Sequence, residues 1–272
     1  MTMVKNKNKK TFKTRKKIKT NRVDLTQINL SIDYSKIDEK DVYGFYLANQ
    51  TTCNNKYQLP DIGSFVKRFP DFLALETELG LYNKTDHTCV CWFKDDSTFD
   101  TIDGLYNAII YKDIELLKYY KNRYKNVKYF ISPDYSTYGD FDFENVIHNI
   151  KKSIIVYLWL TIECNAIVFP LMTYSNEDSL DWCFNHIMEH SNIALSLKGI
   201  SRGEDKKLFL KALKKLVDCR NPQNLIVYSD CCENSTKELL SYAYEKQVNV
   251  ILVNNTLLER NTIGKKNGKK DK

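Results

Sequence analysis

From about residue 88 onward, short apolar runs alternate with longer stretches whose apolar residues recur at helical spacing. This alternation limits the fold more than any other feature of the chain. The runs at 87–93, 127–131, 166–171, 192–197, 224–228 and 248–253 have the length and side chains of buried strands. Between them, 102–123 places Ile102, Leu105, Ile109, Ile110, Ile114, Leu117 and Tyr120 at helical spacing, and 142–163 does the same with Val146, Ile150, Ile154, Tyr157 and Leu158. Further helices are expected at 179–190 with Ser179 as N-cap, at 204–219 and at 236–246. Arg220, Asn221 and Pro222 mark a helix stop before Asn224. Strands separated by helices point to a parallel sheet covered by helices, not to an antiparallel sandwich.

The first part of the chain is less regular. Residues 41–48 suit a strand or a short helix, 57–62 reads as extended because of Pro60, and 65–81 has helical spacing broken by Pro70. No linker interrupts 40–258, so the expected organisation is a disordered basic tail at 1–22, one α/β domain at 23–258 and a basic tail at 259–272. Neither G-x-G-x-x-G nor G-x-x-x-x-G-K-[ST] occurs, which argues against the common nucleotide-binding open sheets. The expectation is therefore a parallel-stranded (β/α) barrel-like domain, complete or partial, with a further strand drawn from 41–62. At 272 residues, the chain can bury a core without disulfides or metal.

Charge is segregated along the chain. Residues 1–22 carry ten Lys/Arg and no acid, among them Lys9, Lys10, Lys13, Arg15, Lys16, Lys17 and Lys19. Residues 259–272 carry six Lys/Arg against two acids, and 23–258 carry 25 bases against 32 acids. Cationic ends on an acidic body attract polyanions through counterion release, so nucleic acid is the expected partner and an anionic membrane surface the next. Phe12 is the single aromatic residue in the first 22, which favours sequence-blind phosphate contact over base stacking. The apolar run at 153–160 is too short to span a bilayer and the N-terminus is polar, so a cytoplasmic protein is expected, with neither a membrane span nor a secretory signal.

The eight cysteines do not suggest a disulfide framework. Cys89, Cys91 and Cys183 sit in apolar segments, no C-x-x-C pair occurs, and buried free thiols fit better. His186 and His190, four apart, would share a helix face as metal ligands must, although the sequence around Glu189 is not H-E-x-x-H. Trp159 and Trp182 fall within helical stretches and read as core residues.

In either α/β architecture, ligands bind where strand carboxyl ends meet the following loops. Those ends gather Asp95 and Asp96, then Asp134, Ser136, Tyr138 and Asp140, then Thr173 and Tyr174, then Ser196, Lys198 and Gly199, and finally Tyr228 and Asp230. The ordinary explanation for Asp, Ser and Thr at such positions is helix capping. Several carboxylates on one rim would also serve as an acid–base pair or hold Mg²⁺; no other cofactor is evident. On this reading Asp96 and Asp134 are the acid–base or metal-ligating candidates, with Lys198 as the anion-binding one. A non-catalytic nucleic-acid-binding protein and a module that binds another protein are the competing classes.

The strand-end segments also carry a resemblance. Residues 92–96 (WFKDD), 131–138 (ISPDYSTY) with Asp140, 168–175 (VFPLMTYS), 179–184 (SLDWCF), 193–199 (IALSLKG) and 224–229 (NLIVYS) resemble domain-of-unknown-function family 4417, which occurs in bacteria, phages and mobile elements such as plasmids. The resemblance covers roughly residues 50–255. Asn165, Tyr174 and Ser229 depart from it, standing where such proteins tend to have Gly, Trp and Gly. It implies a mobile-element setting and carries no activity with it.

Overall fold

The strands are short, and β1 (Phe72–Leu75), β2 (Thr88–Cys91) and β3 (Tyr129–Ile131) are buried at every residue. A computed structural model describes residues 25–255 apart from 83, 84, 86, 201 and 202. The two basic tails, with Lys9, Lys10, Lys13, Arg15, Lys16, Lys17 and Lys19, lie outside the described residues.

Among the described residues, eight strands run as β1 (Phe72–Leu75), β2 (Thr88–Cys91), β3 (Tyr129–Ile131), β4 (Ile167–Phe169), β5 (Ile193–Ser196), β6 (Asn224–Tyr228), β7 (Asn249–Leu252) and β8 (Asn254–Asn255). The helices are α1 (Phe45–Ala48), α2 (Leu105–Ile110), α3 (Ile114–Tyr124), α4 (Phe143–Glu163), α5 (Gly203–Arg220), α6 (Glu233–Leu239) and α7 (Ser241–Glu245). All strand pairings are parallel, in one sheet of order β4-β3-β2-β1-β8 and a second of order β5-β6-β7.

Alternate strand residues supply two different cores. Phe72, Ala74, Val90, Phe130, Val168, Ile193, Leu195, Leu225 and Val227 face outward into the cluster that includes the helices. Leu73, Cys89, Tyr129, Ile131, Phe169, Ala194, Ile226 and Tyr228 face the other way and form one inner cluster shared by both sheets. Two-sided burial explains why the strands read as continuous apolar runs and not as alternating ones.

The α/β class with parallel strands is as expected, but among the described residues the strands form two sheets that do not close into a barrel. The edges of β4 and β5 meet at a single parallel bridge, Leu171 to Ala194. Pro170 lies at that edge and has no N–H to donate, so it serves the junction through its carbonyl, which accepts from Ala194 N at 2.9 Å. The chain then runs from β7 through Val253 into β8, which joins the first sheet beside β1.

Other expectations are also corrected. The extra strand is β1 at 72–75, not a segment of 41–62, where the regular element is the short α1. The helix at 102–123 is two helices, parted at Lys112 with φ 51°, and Asp113 caps the second by accepting from Leu116 N. The helix at 236–246 is likewise divided into α6 and α7 at Leu240. The helix at 179–190 is a 3₁₀ turn, Asp178–Asp181, followed by irregular chain. That segment buries Trp182, Cys183, Phe184 and Ile187, so its apolar spacing reflects core packing by a winding path. His186 and His190 therefore do not share a helix face. His186 is buried, and burial followed by the Arg220 charge pushes its pKa down to about 4. His190 sits at φ 59° with Nδ1 3.2 Å from the Asn221 carbonyl.

Helix α4 organises the outer core. Asp142 caps it by accepting from Asn145 N, and Glu144 lies in its first turn, where a negative charge suits the helix dipole. Val146, Ile150, Ile154, Leu158 and Trp159 are buried along it, and Trp159 Nε1 donates to the Tyr34 hydroxyl at 3.0 Å. Cys89, Cys91 and Cys183 are buried thiols as expected, and all eight cysteines are free.

Candidate functional site

The loop after β3 is fixed from three sides. Ser132 N donates to the Phe169 carbonyl at 2.9 Å, and Ser132 Oγ accepts from Leu171 N at 3.0 Å, tying the end of β3 to the end of β4. From α4, Ser153 Oγ donates to the Pro133 carbonyl at 2.7 Å and Asn149 Nδ2 to the Ser136 carbonyl at 2.6 Å. From the loop after β2, Asp96 Oδ2 accepts from Ser136 N at 3.0 Å.

The loop after β4 is latched to the same segment. Thr137 Oγ1 donates to the Tyr174 carbonyl and Ser175 Oγ to the Tyr138 carbonyl, each at 2.7 Å. Ser179 holds this second loop: its Oγ accepts from Ser175 N at 2.9 Å and Asn176 N at 3.1 Å, and donates to the Asn176 carbonyl at 2.6 Å. Ser179 thus organises a turn, not the N-terminus of a long helix. After β5, Lys198 crosses to the first sheet, where its Nζ donates to the Phe93 carbonyl at 3.0 Å.

These loops enclose a cavity of about 450 Å³ at the carboxyl ends of the strands. Of the residues expected on the rim, Asp134, Ser136, Tyr138, Thr173, Tyr174, Ser196, Lys198 and Gly199 line it. Asp95, Asp96, Asp140, Tyr228 and Asp230 do not. Asp95 accepts from Ser97 N at 2.9 Å and caps the 3₁₀ turn Asp96–Thr98, the ordinary capping role. Asp96 stands behind the 134–136 loop, and its Oδ1 is buried without a hydrogen-bond partner. Asp140 is exposed, and Asp142 caps the helix in its place. Tyr228 is buried in the inner core, its ring 4.7 Å from that of Phe93. Asp230 accepts from Cys231 Sγ at 3.7 Å.

Electrostatics single out Asp134. Burial first, and the Asp96 charge second, push its pKa up to about 7, with Lys198 opposing both. The Tyr174 hydroxyl is pushed upward by burial and by the charges of Asp205 and Asp134. Asp205 lines the cavity without having been expected there. It belongs to the first turn of α5, whose amphipathic pattern says nothing about which end covers a pocket. Among the described residues, no three His, Cys, Asp or Glu side chains cluster so as to hold a metal ion.

With this geometry in place, comparison with known proteins is informative. The model of a family described as Domain of unknown function (DUF4417) matches residues 52–245, more than half of the chain. The chain belongs to this family. The DUF4417 match takes in β1 to β6 and every residue lining the cavity. Among curated proteins, the chain is similar to the Gene 1 protein of Mycobacterium phage D29, with 28% identity over 106 residues, or 36% of each chain. It is also similar to the Gene 1 protein of Mycobacterium phage L5, with 27% identity over 132 residues, or 44% of this chain and 54% of the relative. The matched segments thus span between about a third and about half of these relatives' lengths. No solved structure matches. Among the described residues, no helix is long and apolar enough to cross a membrane.

Proposed function

We propose that this DUF4417 protein is a phage-type protein that associates with nucleic acid through its cationic ends and presents the strand-end cavity to a phosphorylated ligand. The observation that carries this reading is the segregation of charge. Ten Lys/Arg without an acid in 1–22 and a further basic end flank a body with more acids than bases. Within that body the Lys-rich face of α5 is neutralised by ion pairs: Lys206 with Glu238, Lys207 with Glu204, Lys211 with Glu177 and Lys215 with Asp181. Lys94 and Lys198 line the cavity, where an anion would meet them. These charges support a reading in which the ends bind a polyanion and the cavity takes a small anionic group.

Deleting 1–22 and 259–272 together is expected to abolish binding of a random-sequence DNA or RNA oligonucleotide at low salt. With the ends intact, log affinity should fall linearly with log salt concentration. A truncated body that binds as tightly as the full chain, with the same salt slope, overturns this reading.

A second reading is favoured by the pairing of Asp96 with Asp134: a Mg²⁺-assisted hydrolase or phosphoryl-transfer enzyme acting on a phosphorylated or nucleic-acid substrate. The unpartnered Oδ1 of Asp96 and the raised pKa of Asp134, caused first by burial and second by the Asp96 charge, both suit a site that gains from a cation. Mg²⁺ bound by one or two carboxylates plus ligand phosphate is common at such sites. In titration calorimetry, Mg²⁺ or Mn²⁺ should bind the intact protein and bind Asp134→Ala at least about tenfold more weakly, the loss of one charged ligand. Equal, negligible heats for both proteins remove the metal reading.

A further inference from the structure

The cavity contains more than an anion site. Tyr138 stands on its lip with 59% of its surface exposed, although it belongs to a loop otherwise pinned by hydrogen bonds. Its carbonyl accepts from Ser175 Oγ at 2.7 Å and from Phe141 N at 3.0 Å. Its ring meets that of Phe141 edge-on at 5.2 Å, and its hydroxyl accepts from Ser136 Oγ at 3.4 Å. An exposed aromatic ring held in this way loses little conformational freedom when a flat partner lands on it.

The interior matches what such a partner would bring with it. Phe93, Leu171 and Met172 are buried apolar residues of the lining. Lys198 offers a cation, with its ammonium already placed by the Phe93 carbonyl. Asp134 and Asp205 offer carboxyl groups for amino or imino donors. A volume of about 450 Å³ lies within the range of roughly 300–1,000 Å³ typical of small-ligand sites and cannot admit a double helix.

We propose that the cavity receives one unpaired nucleotide, its base stacked on Tyr138 and its phosphate held by Lys198. This rests on the nucleic-acid reading above and deepens it, because it names a single-stranded or free nucleotide as the occupant. The basic ends would bind either kind of strand through its phosphates, and the cavity would distinguish them by needing a base without a pairing partner.

The test measures fluorescence anisotropy of labelled 12-mers on the full chain in about 0.3 M salt, where purely electrostatic binding by the ends is weakened. The single strand should bind more tightly than its duplex. Tyr138→Ala should weaken single-strand binding by roughly 5- to 150-fold, the loss of one aromatic stack, and Tyr138→Phe should restore it. Because Tyr138 is exposed, the variants should retain the wild-type circular dichroism spectrum. Competition by dTMP or dAMP, with the same dependence on Tyr138, would identify free nucleotide as the source; failure of competition together with the single-strand preference would identify the strand. Equal affinity for single strand and duplex, or equal affinity of wild type and Tyr138→Ala, overturns this proposal and leaves polyanion binding intact. Failure of both strands to bind even at low salt overturns both readings.

Discussion

Glu163→Ala is expected to lower the stability of the fold by about 3–4 kcal/mol, read as a shift in the urea midpoint at unchanged slope. The side chain of Glu163 is fully buried at the end of α4, where few carboxylates would be stable alone. It is stable because three donors converge on it: Ser31 N at 2.7 Å, Ile32 N at 2.9 Å and Lys121 Nζ at 2.9 Å. Removing the carboxylate leaves those donors facing a small apolar void. Lys121 is 21% exposed and can recover some hydration, which places the cost toward the lower end of that for a broken buried pair. A Glu163→Leu, Lys121→Met double substitution should be less damaging than Glu163→Ala alone, since it leaves no unmatched charge. Hydrogen exchange at the Ser31 and Ile32 amides should accelerate in Glu163→Ala. A change below about 1 kcal/mol with unaltered exchange would show that this strap is not fastened by Glu163.

What the sequence discloses depends on whether one physical factor dominates each segment. Strands β2 to β6 are legible because two-sided burial demands runs such as 224–228, which the structure matches residue for residue. β1 is hidden because four residues after Pro70 also fit the helical spacing of 65–81. Lys112 is hidden for another reason: a positive φ at a residue other than glycine carries no signal in apolar periodicity, yet it splits 102–123 into α2 and α3. Segment 179–190 misleads because a winding chain can bury Trp182, Cys183, Phe184 and Ile187 as completely as a helix would. At the site, Asp134 and Lys198 are legible because a strand end aims them at the crevice. Asp95 and Asp96 are adjacent and equally plausible by that rule, and the structure gives one to capping and the other to the back of the Asp134 loop. Asp205 is illegible because it reaches the cavity from a helix that returns over it.

The second large effect follows from Asp134, and its sign is opposite to that expected for most carboxylates. An unfolded chain gives this group a pKa of about 3.9. The folded protein raises it to about 7, chiefly by burial and then by the charge of Asp96. Between those values the folded state holds a proton that the unfolded state releases. The contribution of Asp134 is therefore fully present below about pH 4, declines by about 1.4 kcal/mol per pH unit as pH rises, and is lost above about pH 7. Asp134→Asn removes the titration while keeping the shape. The variant and wild type should have nearly equal urea midpoints near pH 4 and diverge as pH rises, until Asp134→Asn is the more stable by on the order of 2–4 kcal/mol at pH 8. The upper figure is the full linkage; opening onto the cavity lets water reduce it. Asp96→Asn should flatten the same curve in part, by removing the second cause and leaving the first. A protein that tolerates such a cost at neutral pH keeps at its strand-end cavity a carboxyl able to change protonation state where Lys198 and a bound anion would meet it. If the wild-type and Asp134→Asn stability curves run parallel from pH 4 to pH 8, Asp134 is an ordinary solvated carboxylate. The cavity then loses its acid–base group, although Tyr138 and Lys198 would still be available to bind.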